Sequence, residues 1–428
     1  MSHDGELILS CDRRQFLART GGAILCGFAA EADADSPARE AEGASSHAVE
    51  RTDMPGSGVR LFLCGDVMTG RGIDQILRQP GDPRLQERFV KSATEYVAIA
   101  EQASGPIPRG VGPEYIWGDV LAELDGSRPD ARIANLETAV TTANEAWFGK
   151  AVHYRMNPAN VACLAAAKID CCTLANNHIL DWGDDGLDET LRVLHAAGIR
   201  TAGAGANDRE ARAPAVIERS TGGRILVFAC GSPSSGIPDS WAARSRRPGV
   251  SMLDESDPTT LEHVVHDVRN ARRRGDIVVV SIHWGGNWGY DVPRQQQRLA
   301  HALIDEAGVD VVCGHSSHHP RPIEVHAGKL ILYGCGDFLN DYEGIGSQQG
   351  YRPELGFMYL PELDPSGGSL RRLALVPTRI RRFRVNRASA SDAEWLQGMM
   401  NREGRAFGTR VERTPAGELE LRWGPDGS

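Results

Sequence analysis

Short apolar segments alternate with amphipathic segments along most of the chain from residue 59 onward. Apolar runs of strand length predict β-strands at 60–67, 131–136, 171–175, 224–230, 277–282, 310–313 and 330–335. Apolar positions at helical spacing predict helices over 85–103, 158–168, 185–197, 259–274 and 294–307. Strands that alternate with helices in this way are typical of an α/β fold with a mostly parallel or mixed sheet.

The two ends of the chain differ from this central pattern. Residues 59–345 carry the alternation and form the predicted main domain. Residues 346–428 contain isolated strands and one helix at 392–402, which indicate a strand-rich extension of the same domain. Residues 35–58 are rich in Ala, Ser, Glu, Asp, Pro and Gly, and this composition predicts a flexible linker.

Residues 1–34 resemble a twin-arginine export signal. Arg13 and Arg14 precede an apolar stretch, 21–30, that is too short to span a membrane and is followed by small residues where a signal is cut. We therefore expect export to the periplasm or the cell surface. The alternative is a chance arginine pair in an N-terminal arm, which would leave the protein in the cytoplasm.

The composition is that of a globular protein with a sizeable core, since 41% of the 428 residues are apolar and 24% are charged. The net charge of −10 argues against nucleic-acid binding, which depends on a basic surface. The nine cysteines form no CxxC pair and lie mostly in apolar runs. We therefore expect small buried side chains rather than disulfides or thiolate metal ligands.

Polar side chains follow five of the predicted strands at the point where each strand ends. In chain order they are Asp66, Glu137, Asn177, His178, His283, His315, His318 and His319. Ligands of open α/β sheets bind outside the carboxyl ends of the strands, so we expect these side chains to converge. Carboxylates, an amide and imidazoles without thiolates suit Mn²⁺, Mg²⁺, Ca²⁺, Fe²⁺ or Zn²⁺, as one ion or as two.

Each of these motifs alone also fits a structural role, such as a turn for Gly65-Asp66 or a helix cap for Asn177-His178. Their recurrence at successive strand ends favours a metal site. A serine hydrolase is not indicated, because Pro233 follows Ser232 where a nucleophile elbow has none. The chain also lacks the glycine-rich loops that bind nucleotide phosphates.

Six segments resemble, in the same order, the CapA-type family of bacterial capsule or poly-γ-glutamate synthesis proteins, a branch of the metallophosphatase superfamily. They are GDVMTGRG (65–72), NLET (135–138), ANNHILDWGDDGL (175–187), HWG (283–285), GHSSHHPRPIE (314–324) and YGCGDFLND (333–341). The resemblance covers residues 59–341. It implies a metallophosphatase-like four-layer α/β/β/α sandwich with mixed sheets and a metal centre at the strand ends.

The resemblance also implies roles for individual residues. The implied metal ligands are Asp66, Glu137 as a bridging carboxylate, Asn177, His283, His315, and either His318 or His319. His178 is the implied proton-transfer residue, and Arg71 is expected to meet an anionic group of the substrate. Asp181 and Asp337 are expected to orient histidines.

Two positions depart from the superfamily pattern. Met68 stands where many metallophosphatases have a histidine, and Glu137 stands where many have an aspartate. The missing histidine weakens one metal position. The sequence therefore leaves open whether one or two ions bind, and it does not favour ordinary phosphoesterase activity.

Several functions remain compatible with this site. The first is a metal-dependent envelope enzyme of capsule or poly-γ-glutamate synthesis that acts on an acidic peptide polymer or a phosphorylated substrate. The second is a peptide epimerase, in which acid–base catalysis at an α-carbon requires a stabilised enolate. The third is a general metallophosphatase, and the fourth is a non-catalytic partner of a membrane synthase complex.

Overall fold

Two mixed β-sheets contain most of the described strands of the protein. The computed structural model describes residues 58–346 and 350–424. The residues from Gly58 onward belong to one structural unit. The predicted export signal at 1–34 and the predicted linker up to residue 57 lie outside the described residues. None of the described helices has the length and apolar character needed to cross a membrane.

The described strands are β1 (Val59–Val67), β2 (Ala131–Leu136), β3 (Ala139–Val140), β4 (Arg155–Met156), β5 (Cys171–Thr173), β6 (Arg200–Ala202), β7 (Ala204–Gly205), β8 (Ala215–Glu218), β9 (Arg224–Gly231), β10 (Gly249–Val250), β11 (Ile277–His283), β12 (Val311–His315), β13 (Ile323–His326), β14 (Lys329–Leu332), β15 (Asp337–Leu339), β16 (Leu355–Leu363), β17 (Leu370–Ile380), β18 (Val385–Arg387), β19 (Thr409–Arg413) and β20 (Leu419–Trp423). The described α-helices are α1 (Gly72–Ile76), α2 (Ala93–Ser104), α3 (Val120–Ser127), α4 (Ala162–Ala166), α5 (Gly183–Ala196), α6 (Asp208–Arg212), α7 (Pro258–Ala271), α8 (Arg294–Asp305) and α9 (Ala390–Glu403).

The larger sheet has the strand order β19-β20-β17-β16-β1-β2-β5-β6, with β15 paired to β1 and β18 paired to β17. Its β1, β2, β5, β6 and β15 are parallel, whereas β16, β17, β18, β19 and β20 add antiparallel pairs. The smaller sheet has the order β13-β14-β12-β11-β9-β8, with parallel strands in the centre and antiparallel strands at both edges. Both sheets are therefore mixed, and the C-terminal strands extend the sheet that begins with β1.

Side chains along the central strands of the smaller sheet point alternately to its two faces, and each face packs into a separate buried cluster. On β11, Ile277 and Val279 belong to the same buried cluster as Leu61 and Leu63 of β1. The intervening Val278 and Val280, with their neighbours on β9 and β12, pack instead with apolar residues of α7 and α8. Strands buried on both faces read as continuous apolar runs, and for this reason the sequence predicted them well.

The strand pairing brings the candidate residues to neighbouring strand ends. In the larger sheet, Asp66 of β1 lies opposite Asn135 of β2 and Asp337 of β15. In the smaller sheet, His283 of β11 lies opposite His315 of β12. Parallel strands end at the same edge of a sheet, so each sheet contributes a pair of adjacent polar ends.

The helix predicted over 85–103 is wrong in its first half, because the structure begins this helix at Ala93. Ser92 and Glu95 form a capping box that fixes the helix start. Glu87 lies in the preceding loop, 1% exposed, where its carboxylate pairs with Arg71 at 3.0 Å. This ion pair holds residues 85–92 in a loop despite their helical periodicity.

The described cysteines are all free and buried. This agrees with the prediction of small buried side chains, and Cys11 and Cys26 lie outside the described residues. Burial raises the pKa of the Cys163 thiol to about 12, so this thiol stays protonated and packs as an apolar group.

We expect Gly65→Ala to destabilise the fold, because a Cβ at this position would lie 1.8 Å from the carbonyl oxygen of Gly336. Overpacking against backbone that pairs β1 with β15 costs about 2–3 kcal/mol of unfolding free energy, measurable by urea denaturation. Gly126→Ala is the matched control, because nothing lies within 4 Å of its Cβ. Gly126 is the penultimate residue of α3, where that change gains at most roughly 0.5–1 kcal/mol. Equal unfolding free energies for the two variants would contradict the packing described here.

Candidate functional site

The carboxylate of Asp66 is completely buried at the end of β1. Its Oδ1 accepts a hydrogen bond from the Asn135 amide at 2.7 Å and lies 3.0 Å from Nδ1 of His315. Its Oδ2 accepts from the backbone N–H of Ser316 at 3.2 Å. Burial raises the pKa of Asp66, but the hydrogen bond and charge of His315, with the hydrogen bond from Asn135, outweigh it and hold the pKa well below its usual value. Asp66 is therefore a fixed, ionised group.

Four buried polar atoms of the candidate ligands have no hydrogen-bond partner. They are Oε2 of Glu137, Oδ1 of Asn177 and both ring nitrogens of His283. Ligand atoms of Asp66, Glu137 and His283 lie within 4.8 Å of one another. Asn177 precedes His178, whose Nε2 lies 3.7 Å from Oε1 of Glu137. An unpaired buried polar group costs about 1–3 kcal/mol, so four of them together indicate a missing partner.

The chemistry of these unpaired atoms suits a divalent cation. A carboxylate oxygen, an amide oxygen and an imidazole nitrogen are the donors that hard and borderline metal ions take. Burial lowers the pKa of His283 to about 3, which leaves the ring neutral, the form that binds metals. Burial and the charges of Asp66 and Asp337 raise the pKa of Glu137. A bound cation would remove this conflict between carboxylates.

His315 differs from His283, because both of its ring nitrogens have partners. Nδ1 lies against Asp66, and Nε2 lies 3.5 Å from the Cys313 sulfur. Burial lowers the pKa of His315, but Cys313 and Asp66 outweigh it and raise the pKa above its usual value. In this arrangement His315 holds Asp66 in place, and it would have to exchange these contacts to bind a metal ion.

The structure distinguishes His318 from His319, which the sequence could not do. His318 has Nδ1 at 2.9 Å from Asp337, whose other oxygen accepts from Asn340 at 2.7 Å. Its Nε2 has no hydrogen-bond partner among the described residues. His319 uses Nδ1 with the carbonyl of Pro320 and Nε2 with the N–H of Gly289, both at 3.1 Å. Only His318 of the two therefore has a ring nitrogen available to a ligand.

His178 forms a cluster with Asp181 and Lys150 next to Glu137. Nδ1 of His178 lies 2.6 Å from Oδ2 of Asp181 and 3.2 Å from Nζ of Lys150, which also donates to Asp181. Burial lowers the pKa of His178 to about 4, the charge of Lys150 adds to this effect, and Asp181 opposes it. At neutral pH the ring is uncharged, with its proton on Nδ1 facing Asp181. Its Nε2 then accepts a proton rather than supplying one.

Arg71 does not lie open to a substrate. Its side chain is 3% exposed, with one guanidinium nitrogen 3.0 Å from Glu87 and two others bonded to Asp341. The guanidinium also lies over the Tyr96 ring, 3.9 Å from its centre. These contacts favour a structural role that ties residues 71–87 to the loop after β15. This geometry does not favour the predicted role of Arg71 as a contact for an anionic group of the substrate.

Three residues of the site were not singled out from the sequence. Lys150 lies between β4 and the preceding strand, outside every recognised motif, and no pattern marks it. Asn135 lies inside the NLET segment, and its position opposite Asp66 could have been found from the pairing of β1 with β2. Asn340 lies inside the last matching segment, where its amide holds Asp337.

The fold and the site together define a class: a mixed α/β protein with a buried cluster of carboxylates, an amide and imidazoles at its strand ends. The family model described as the bacterial capsule synthesis protein PGA_cap matches residues 60–342. The chain belongs to this family, which confirms the resemblance predicted from the motifs.

Curated relatives extend the match. A probable polyglutamine synthesis accessory protein of Mycobacterium tuberculosis is 47% identical over 364 residues, which cover 85% of this chain and 96% of the relative. The PGA biosynthesis protein CapA of Bacillus subtilis is 28% identical, over 65% of this chain and 62% of the relative. The solved structure of GAP50, the anchor in the inner membrane complex of Plasmodium, aligns with 84% of this chain and 99% of its own, at 6% identity and a TM-score of 0.31.

We expect the protein to hold a divalent metal ion that His283→Ala removes, because both nitrogens of His283 are buried without partners. Elemental analysis by plasma mass spectrometry should find metal in the wild type and a loss in the variant. Metal at 100 times its Kd should raise the unfolding free energy of the wild type by about 2.7 kcal/mol over the chelator-treated protein. His266→Ala is the control, because His266 is exposed and bonds only Asn270. Unchanged metal content in His283→Ala would refute the assignment.

Proposed function

We propose that this protein is a divalent-metal enzyme of capsule or polyglutamate synthesis in the cell envelope. Its substrate would be a glutamate-type peptide polymer or a phosphorylated intermediate of that polymer. The observation that carries the proposal is the set of unpaired donor atoms on Glu137, Asn177 and His283 around the ionised Asp66. Family membership supplies the biological context.

The site fits a metal ion held by Asp66, Glu137, Asn177 and His283, with His318 as a further ligand through Nε2. When bound, such an ion acts as a Lewis acid on a carbonyl or phosphoryl oxygen and offsets the negative charge of an acidic substrate. Without a cation, the carboxylates of Asp66 and Asp337 would repel a polyglutamate chain. This requirement makes activity on an acidic polymer dependent on the metal.

His178 is the proposed proton acceptor. Asp181 holds the proton of the neutral ring on Nδ1, which leaves the lone pair of Nε2 facing the site beside Glu137. Lys150 offsets the charge of Asp181, so the ring remains neutral until it takes a proton from the substrate or from water. A positioned base of this kind contributes about 10²–10⁴-fold to a rate.

The proposal includes two features that frame this chemistry. A four-layer α/β/β/α arrangement would keep the strand ends of both sheets at one site, with helices on the outer faces. The twin-arginine-like segment would export the folded, metal-loaded protein to the periplasm or the cell surface.

We expect His178→Gln to keep the metal but lose at least about 100-fold in rate, because glutamine cannot accept the proton. Purified protein would be incubated with a γ-linked glutamate oligomer and Mn²⁺ or Zn²⁺ in D₂O, and the products followed by mass spectrometry. Cleavage that is lost in His178→Gln is the expected result, and His266→Ala should match the wild type. Deuterium at an α-carbon without cleavage would point to epimerisation, and full activity in His178→Gln would contradict the role of His178.

A second candidate is a non-catalytic partner of a polymer synthase, because the curated relative from M. tuberculosis is named an accessory protein. The two candidates differ in what they require of His178, which contributes proton transfer in one and only packing in the other. The two candidate functions can be distinguished in a polymer-producing host that lacks its own member of the family. If the protein acts as an enzyme, wild type restores polymer production and His178→Gln does not. Restoration by both would favour the partner role.

A further inference from the structure

A second group of metal-ligating side chains lies between α8 and β13, and it shares no residue with the site around Asp66. His301 and Asp305 are four residues apart on α8, so they lie on one face of the helix. Glu324 and His326 are two residues apart on β13, so they lie on one face of the strand. The two faces meet, and each presents one imidazole and one carboxylate.

The contacts across this junction are reciprocal. Nε2 of His301 lies 3.0 Å from Oε1 of Glu324, and Nε2 of His326 lies 3.0 Å from both carboxylate oxygens of Asp305. The two imidazole rings are parallel, with centroids 3.9 Å apart and planes at 8°. Ligand atoms of His301, Glu324 and His326 all lie within 4.8 Å of one another.

We infer that His301, Asp305, Glu324 and His326 form a second divalent-metal site, of the type that takes Zn²⁺, which clamps α8 to β13. Zn²⁺ prefers four ligands drawn from imidazole nitrogens and carboxylate oxygens at about 2.0–2.2 Å. Tetrahedral geometry at such bond lengths sets neighbouring donor atoms roughly 3.3–3.5 Å apart. The separations of 3.0 Å within the two imidazole–carboxylate pairs need only a small expansion. Asp305 lies outside the group of three and the two rings are stacked in parallel, so the carboxylate of Asp305 and both rings must turn to bring the four donor atoms to one centre.

Charge and proton balance also fit. Two carboxylates carry two negative charges, so Zn²⁺ with two neutral imidazoles gives a site of zero net charge. Metal binding at Nε2 requires that each neutral ring carry its proton on Nδ1, which is a change of tautomer without any net proton transfer. The ion would replace the two imidazole–carboxylate hydrogen bonds by four bonds to one centre.

The surroundings orient Glu324 and leave the site accessible. The Tyr333 hydroxyl donates to Oε2 of Glu324 at 2.6 Å, which fixes the carboxylate with Oε1 towards His301. Hydrogen bonds of this kind to a ligating carboxylate are typical of metal sites. The side chains of His301 and His326 are 31% and 26% exposed, so an ion can enter from solvent.

The position of the site suggests a structural role. β13 is an edge strand of the smaller sheet, and among the described strands it pairs only with β14, through a tight turn at Ala327 and Gly328. Edge strands are weakly held and prone to pair with other chains. A metal bridge from α8 would hold this edge in place. This inference does not depend on the proposed enzymatic function.

The test uses the full chain after chelator treatment, with His283→Ala as the background so that the site around Asp66 does not contribute. Isothermal titration with ZnCl₂ should give about one equivalent per chain in this background. Adding His326→Ala or His301→Ala should weaken binding by at least about tenfold. Co²⁺ in place of Zn²⁺ should give the intense visible bands of tetrahedral cobalt, and these should disappear in the same double variants.

Two controls guard against loss of fold. His266→Ala in the same background removes an exposed histidine on α7 and should leave Zn²⁺ binding unchanged. The thermal midpoint without metal should be similar for His326→Gln and its parent, whereas Zn²⁺ should raise the midpoint of the parent alone. Zn²⁺ affinity and cobalt bands that survive in folded His326→Gln and His301→Ala variants would overturn the inference.

Discussion

The buried carboxylate of Asp66 is the interaction on which the candidate site depends. A buried ion costs several kcal/mol unless it is paired and hydrogen-bonded. Its partners come from both sheets, with Asn135 from the larger sheet and His315 and Ser316 from the end of β12 in the smaller one. The charge is therefore compensated only when both sheets end at the same place. The stability of this buried ion therefore requires that the strand ends of the two sheets be correctly aligned.

Around this satisfied carboxylate lie atoms that remain unsatisfied. Glu137, Asn177 and His283 contribute four buried polar atoms without partners, whereas Asp66, His315, Asp181 and Asp337 are hydrogen-bonded. In folded proteins such buried polar groups usually have hydrogen-bond partners, and the exceptions concentrate at functional sites. Asn135, Asp181, Asp337 and their neighbours fix the surroundings, so these unpaired atoms sit in a rigid frame. That combination is expected of a preformed ligand site.

The strand ends were predictable from the sequence, because the spacing of apolar residues that is typical of strands and of helices marks where each strand stops. Apolar runs located the parallel strands, and Asp66 and His283 each stand where a run stops. The start of α2 was predicted wrongly, because Glu87 forms a buried ion pair with Arg71. Arg71 lies outside the segment whose apolar spacing predicted the helix, so that spacing could not reveal the ion pair. The same pair gives Arg71 an internal role that its motif did not indicate.

Choices between neighbouring side chains needed tertiary contacts. His318 and His319 are equivalent in sequence, yet Asp337 turns one towards the site while Pro320 and Gly289 occupy both nitrogens of the other. Lys150 could not be predicted, since it reaches His178 from a loop without any periodic signal. Sequence patterns thus identified which strand ends form the site, and tertiary contacts determine the role of each side chain there.

The position of Met68 bears on the number of metal ions. Met68 is buried, and its sulfur accepts a hydrogen bond from the hydroxyl of Tyr342 at 3.5 Å. A thioether in this place is a poor ligand for hard or borderline cations that favour oxygen and nitrogen. His315 already uses both ring nitrogens, on Asp66 and Cys313. The remaining unpaired ligand atoms, on Glu137, Asn177, His283 and His318, suffice with Asp66 for one ion but leave too few for a second, so we expect a single-metal centre.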